Sequence, residues 1–196
     1  MGYLQRILGN LDQAIVLFRR AVELDPVTLS GYHSLGLALI YAGELDEADQ
    51  VYQHLLAMNP LFTNANLARA RVMLLKGQPE EALAISEKEA EPFWREYGIL
   101  VDLYALGRTD EADARLAPFI EQNQQDSAYQ IAQIYGFRGD QDKVFEWLER
   151  AYAQRDGGLP ELLYDPFLKP FNTDPRWIGI VRKVGLLDAW EKLQSN

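Results

Sequence analysis

A beat of 34 residues governs this chain. Gly9, Gly43 and Gly77 stand at that interval, as do Ala14, Ala48 and Ala82, and Asp25-Pro26 returns as Asn59-Pro60. Three markers sharing one register mean that a single supersecondary unit is copied along the sequence, and no copy buries its apolar face alone. Such a chain folds by stacking each unit on its neighbours, not by enclosing one large core.

The unit is a pair of helices. Each periodic glycine stands where an apolar-periodic stretch ends, in the place of a helix C-terminus that needs a left-handed residue. Acidic residues open the stretch that follows, at Asp46-Glu47, Glu80-Glu81, Asp110-Glu111 and Asp142, with the sign that complements a helix dipole. Asp25-Pro26, Asn59-Pro60 and Asp174-Pro175 each read as an N-cap followed by a residue that needs no intrahelical donor bond. Leu35, Leu39 and Ile40 share one face of the first helix, and Leu45, Ala48, Val51, Tyr52 and Leu55 share one face of its partner. Small residues at Gly36, Ala48, Ala70, Ala82, Ala112 and Ala132 let the paired helices come close.

In the clearest copy the text is Tyr32-x-x-Leu35-Gly36-x-x-Leu39, then Gly43, Ala48-x-x-x-Tyr52 and Pro60. In residue class and spacing this resembles the tetratricopeptide repeat. Weaker copies run through Ala70, Met73, Gly77 and Ala82; through Leu103, Gly107 and Ala112; and through Ile131, Ala132, Tyr135, Gly139, Leu148 and Ala151. The later spacings shorten, and the third and fourth copies lack the aromatic that Tyr52 supplies. The resemblance implies an all-α fold, a right-handed α-α superhelix of about five helix-turn-helix repeats with a helical C-terminal cap. The repeats fall at 1–26, 27–60, 61–91, 92–124 and 125–155, and 156–196 forms a linker and capping helices.

Both ends depart from the beat. Projected back one period, Leu35-Gly36 lands on Met1-Gly2, so the first repeat opens in mid-motif. Leu11, Ala14, Ile15, Phe18, Ala21 and Val22 then make a helix face that only residues 2–8 can cover, whereas terminal repeats carry a polar outer face. Two expectations follow: a longer protein supplies the missing turns, or a second copy pairs through this end. From about Asp156 the segment turns rich in proline and aromatics, through Asp165-Pro166-Phe167 and Lys169-Pro170-Phe171. Periodicity resumes at Trp177, Ile178, Val181 and Val184, then Leu186-Leu187, Trp190 and Leu193, as one or two short helices folded back on the last repeat. The run Asp174-Pro175-Arg176-Trp177-x-x-Ile180-Val181-Arg182-x-x-Gly185-Leu186 resembles the ending of bacterial multidomain regulators with such repeats, among them class III nucleotide cyclases and winged-helix regulators.

Composition narrows the function. A formal charge of −10 without a concentrated basic patch opposes nucleic acid and anionic lipid as partners. No cysteine is present, so thiolate chemistry and disulfides are excluded. The start has no cationic stretch leading into an apolar run, and the expected location is the cytoplasm. His33 and His54 are the only histidines and fall on different helices without a zinc-binding pattern. Gly157-Gly158 lacks the flanking elements of a phosphate cradle, and no nucleophile elbow occurs. The sequence therefore points to no enzyme, no cofactor and no metal.

What the resemblance implies instead is a concave groove lined by the first helix of each hairpin, where a peptide or partner domain is held. Carried over by register, the groove positions are Tyr3 and Arg6; Ser30, His33 and Leu37; Asn64, Leu67 and Arg71; Trp94, Tyr97, Val101 and Tyr104; and Tyr129 and Gln133. Helical spacing alone also permits Trp94, Tyr97, Val101 and Tyr104 to be ordinary packing. As a hot-spot patch, the rings supply rigid apolar area and Arg71 anchors a carboxylate or a carbonyl oxygen. The Lys and Asn set with which chaperone-binding relatives hold a terminal carboxylate is missing here, so the expected ligand is not a chain terminus.

Overall fold

A computed structural model describes Met1–Ser195, and every regular element among those residues is helical. The chain forms two compact units, Met1–Arg6 with Asn10–Ala112, and Ile7–Gly9 with Asp113–Asn196.

The first unit is a row of hairpins. It contains α1 (Gly2–Ile7), α2 (Leu11–Leu24), α3 (Leu29–Ala42), α4 (Leu45–Met58), α5 (Ala65–Leu75), α6 (Pro79–Ser86) and α7 (Pro92–Ala105). From α2 onward each helix packs on the next in the chain, and α3 meets α5 as α5 meets α7. The core is the stack of inward faces, with Ala14, Leu35, Leu39, Ala48, Tyr52, Leu55, Ala70 and Val72 all buried. Small residues set the spacing as the sequence predicts. A Cβ on Gly36 would stand 2.5 Å from the Tyr52 ring, so the aromatic of α4 lies where α3 has no side chain.

Helix ends follow local chemistry. Gly43 ends α3 at φ 83 and donates its N–H back to Ile40 and Leu39, in the left-handed conformation expected of it. The acidic pairs Asp46-Glu47 and Glu80-Glu81 lie in the first turns of α4 and α6. One expectation is corrected. Asp25 and Asn59 are not N-caps; they close α2 and α4, and the next helices begin only at Leu29 and Ala65. Their side-chain oxygens instead accept from the N–H two residues on, Val27 and Leu61, so the Asx-Pro pair shapes the turn between hairpins.

The boundary between the units falls within α8 (Thr109–Asn123). In the second unit α9 (Ala128–Arg138) and α10 (Gln141–Gln154) make a hairpin, two 3-10 turns follow at Leu159–Glu161 and Lys169–Phe171, and α11 (Pro175–Val184) and α12 (Leu187–Gln194) finish the chain. Here the predicted cap forms: α11 packs on α10, and α12 on α11. Asp174 is a true N-cap, accepting from Arg176 N at 2.7 Å before Pro175 in the first turn. The Arg176 guanidinium reaches Asp142 at 2.9 Å and lies over the Phe145 ring, tying α11 to the start of α10.

Candidate protein-interaction site

The predicted inner stripe of the first unit is carried by α1, α3, α5 and α7. His33 and Leu37 on α3, Asn64 at the start of α5 and Arg71 within it, and Trp94 and Tyr104 on α7 are half-buried. Arg6, Leu67, Tyr97 and Val101 lie inside, at 4%, 5%, 1% and 2% exposure. The stripe therefore has two layers: side chains that reach the surface, and side chains that hold them from behind.

The supporting contacts are specific. His33 packs edge-on to Tyr52, with ring centroids 5.8 Å apart, and against Phe62 at 5.6 Å. Tyr52 Oη donates to the His33 carbonyl oxygen at 3.3 Å. Burial, helped by the positive charge of Arg6, pushes the imidazole down to about 4, so His33 is neutral at neutral pH. Burial also raises the Tyr52 phenol, while the charges of Arg71 and Arg6 pull the other way. The Arg6 guanidinium lies 5.2 Å from the Tyr3 ring centre and 5.5 Å from that of Tyr41. Arg71 Nη2 donates to Tyr97 Oη at 3.4 Å. Trp94 stacks edge-on to Phe93 at 4.7 Å and to Tyr97 at 6.1 Å.

Sequence reasoning misses Glu89. This carboxylate is 1% exposed and accepts from Asn64 N at 3.1 Å, Leu67 N at 3.3 Å and Glu91 N at 3.2 Å. It caps α5 from a distant turn, satisfying donors that the start of a helix leaves open. Asn64, which adopts a left-handed φ of 69, is held in that turn, so the α5 end of the stripe depends on a residue with no motif of its own.

In the second unit the same register positions are already engaged. Tyr129 and Gln133 on α9 are 2% and 4% exposed. Tyr129 Oη donates to Asp165 Oδ2 at 3.2 Å, Gln133 Nε2 donates to the same oxygen, and Phe167 N donates to Oδ1 at 2.9 Å. Asp156 accepts from Tyr129 N and Gly158 N, both at 2.9 Å. The approach is close: a Cβ on Gly158 would stand 2.3 Å from the Tyr129 ring, and one on Gly136 would stand 2.5 Å from the Phe167 carbonyl oxygen. The proline-rich segment thus lies along α9 and covers its stripe.

Three stretches, residues 1–28, 29–60 and 65–88, match the tetratricopeptide repeat family, and together they span less than half of the chain. No curated protein matches the sequence. Among solved structures, YrrB, described as a TPR protein with an unusual peptide-binding site, is 20% identical with a TM-score of 0.50, over 82% of this chain and 86% of its own. A tetratricopeptide repeat protein from Parabacteroides merdae is 16% identical with a TM-score of 0.60, over 99% of this chain and 75% of its own. PilW, described as a widely conserved type IV pilus biogenesis factor, is 16% identical with a TM-score of 0.56, over 99% of this chain and 90% of its own. At these identities the likeness is one of fold: residues 1–60 and 65–88 are tetratricopeptide repeats, and the chain shares the all-α fold of these structures.

Proposed function

We propose that this array of tetratricopeptide repeats is a protein-interaction module that holds a peptide or a partner domain against the inner stripe of its first unit. The observation that carries the reading is the paired layering of that stripe. His33, Arg71 and Trp94 stand half-buried on three successive first helices, each steadied by a buried or half-buried aromatic ring. Rigid rings beside a guanidinium are what hot spots of protein interfaces are made of, because little rotamer freedom remains to be lost on binding. Repeats of this family serve in general as interaction modules and not as catalysts, which agrees with a surface of aromatic and polar anchors. The net charge of −10 favours a protein partner over nucleic acid or an anionic membrane. The resemblance of residues 174–186 to the ending of bacterial regulators supports a regulatory region of a larger protein, working in the cytoplasm.

A second reading rests on Tyr3, Leu4 and Val16, which are 53%, 50% and 62% exposed on the first hairpin. Apolar area of this kind suits pairing with a second copy. One experiment addresses both. The full chain is panned against a displayed random-peptide library, and binding of the selected peptides is measured for the wild type, Arg71→Ala, Trp94→Ala and the remote control Tyr152→Ala, with sedimentation of each protein. The interaction reading expects at least about a tenfold loss of affinity for the two stripe variants and none for the control. Equal affinities in all four proteins, at unchanged helicity, would remove the stripe as the binding surface. A concentration-dependent dimer abolished by Val16→Glu would favour self-association.

A further inference from the structure

The contact between α6 and α7 joins one hairpin to the next, and it contains a polar pair that apolar packing does not explain. Gly98 on α7 allows the close approach: a Cβ there would stand 2.6 Å from Ser86 Oγ and 2.9 Å from Leu67 Cδ1. One turn further along α7, Asp102 is 1% exposed. Both of its carboxylate oxygens, and the Ser86 hydroxyl as well, are buried without a well-formed hydrogen bond, and the Ser86 hydroxyl is the one group close enough to act on the carboxyl. The contrast with the other buried acids is sharp, because Glu89 and Asp165 each accept from three donors. An ionised carboxylate at Asp102 would have only the Ser86 hydroxyl beside it to offset the cost of burial.

The charged groups around the contact are occupied or turned elsewhere. On α5, Arg69 pairs with Asp49 and Arg71 donates to Tyr97, and just beyond it Lys76 pairs with Asp46. On α6, Glu80 and Glu81 lie exposed in the first turn, and Glu87 follows, exposed, at its end. On α7 itself, Arg95 donates to the Glu89 carbonyl oxygen and Glu96 is half-buried, while past its end Arg108 pairs with Glu111. None of these charges is among the influences that shift the Asp102 carboxyl. Burial pushes its carboxyl up to about 7, and the nearby Ser86 hydroxyl draws it back only in part.

We propose that the α6–α7 joint is a proton-gated seam, in which protonated Asp102 lets the two hairpins pack and ionised Asp102 loosens them. The seam is independent of what the inner stripe binds. Because folding raises this acid above its unfolded value, the folded chain holds the proton more tightly. Its contribution is complete below the ordinary carboxylate range and is lost as pH rises through about 7. The loss amounts to at most about tenfold in the folding equilibrium per pH unit across that interval.

The test is urea denaturation of the full chain and of Asp102→Asn from about pH 5.5 to about pH 8.5, with amide exchange followed helix by helix. The expected result is a wild type that weakens relative to Asp102→Asn as pH rises, with α6 and α7 losing protection, measured against the intrinsic exchange rate at each pH, at the alkaline end in the wild type alone. A difference between the two proteins that stays constant with pH would overturn the proposal. Should the variant fail to fold, the wild-type Asp102 carboxyl is titrated directly by carbon-13 resonance. A midpoint near neutrality supports the seam, and one in the ordinary carboxylate range overturns it.

Discussion

Tyr129 and Gln133 in the second unit hold the same register positions as Leu67 and Arg71 in the first, and their fates differ. In the first unit the positions belong to a stripe that reaches the surface at His33, Arg71 and Trp94. In the second they are closed over by Asp165 and the turns around it. The repeat alone does not decide which outcome follows. What decides it is the sequence after the hairpin: another apolar-periodic helix leaves the stripe facing outward, whereas Gly158, Pro160, Asp165 and Pro166 bring the chain back across it. The second unit thus demonstrates in cis that a tyrosine and an amide at these positions bind a carboxylate carried on an irregular segment.

That comparison can be broken most forcefully at Asp165. Asp165→Ala leaves Tyr129 Oη, Gln133 Nε2 and Phe167 N buried without their acceptor and should cost about 3 kcal/mol in urea denaturation. Fast amide exchange should be confined to residues 156–171 and α9, and peptide binding by the first unit should persist. A variant as stable as the wild type would mean that Asp165 merely accompanies the covering segment. Next in size is Gly36→Ala in the first unit, where the new methyl meets the Tyr52 ring at 2.5 Å. Overpacking of about 1–3 kcal/mol, offset by about 1 kcal/mol of helix propensity, predicts a net loss near 1 kcal/mol and a displaced His33 ring. An unchanged unfolding midpoint would show that α3 and α4 have slack there. Of comparable size is a response to acid. Since His33 is held neutral, its contribution to stability is complete above its ordinary value of 6.5 and is lost as pH falls towards about 4. At about pH 5 the wild type should have lost on the order of 1–2 kcal/mol more than His33→Phe, each relative to neutral pH. Equal acid sensitivity in the two proteins would place His33 in a wetter setting than its ring contacts indicate.

The parts of the fold legible in the sequence are those fixed by local chemistry. Gly43 and Gly139 end helices because the backbone there turns left-handed, and Asp46 and Glu80 open helices because of the dipole. The Asx-Pro pairs show where local reading stops. Asp174-Pro175 starts a helix at once, whereas Asp25-Pro26 and Asn59-Pro60 begin turns that delay the next helix to Leu29 and Ala65. The dipeptide is compatible with both, and packing between hairpins selects. The stripe residues were readable by register, but their division into surface and support was not, because exposure depends on neighbouring helices. Glu89 and Asp165 were invisible for a related reason: most of their donors are backbone or side-chain groups 22 to 36 residues away, and no spacing rule announces them.

Gly43 carries one last implication. Its φ is 83, yet nothing lies within 4 Å of where a side chain would begin. The corner therefore selects handedness and not size. A mirror-image D-alanine inserted by semisynthesis would sit there unstrained, and by narrowing the choices open to the unfolded chain it should raise the melting temperature, while ordinary alanine at the same corner should lower it.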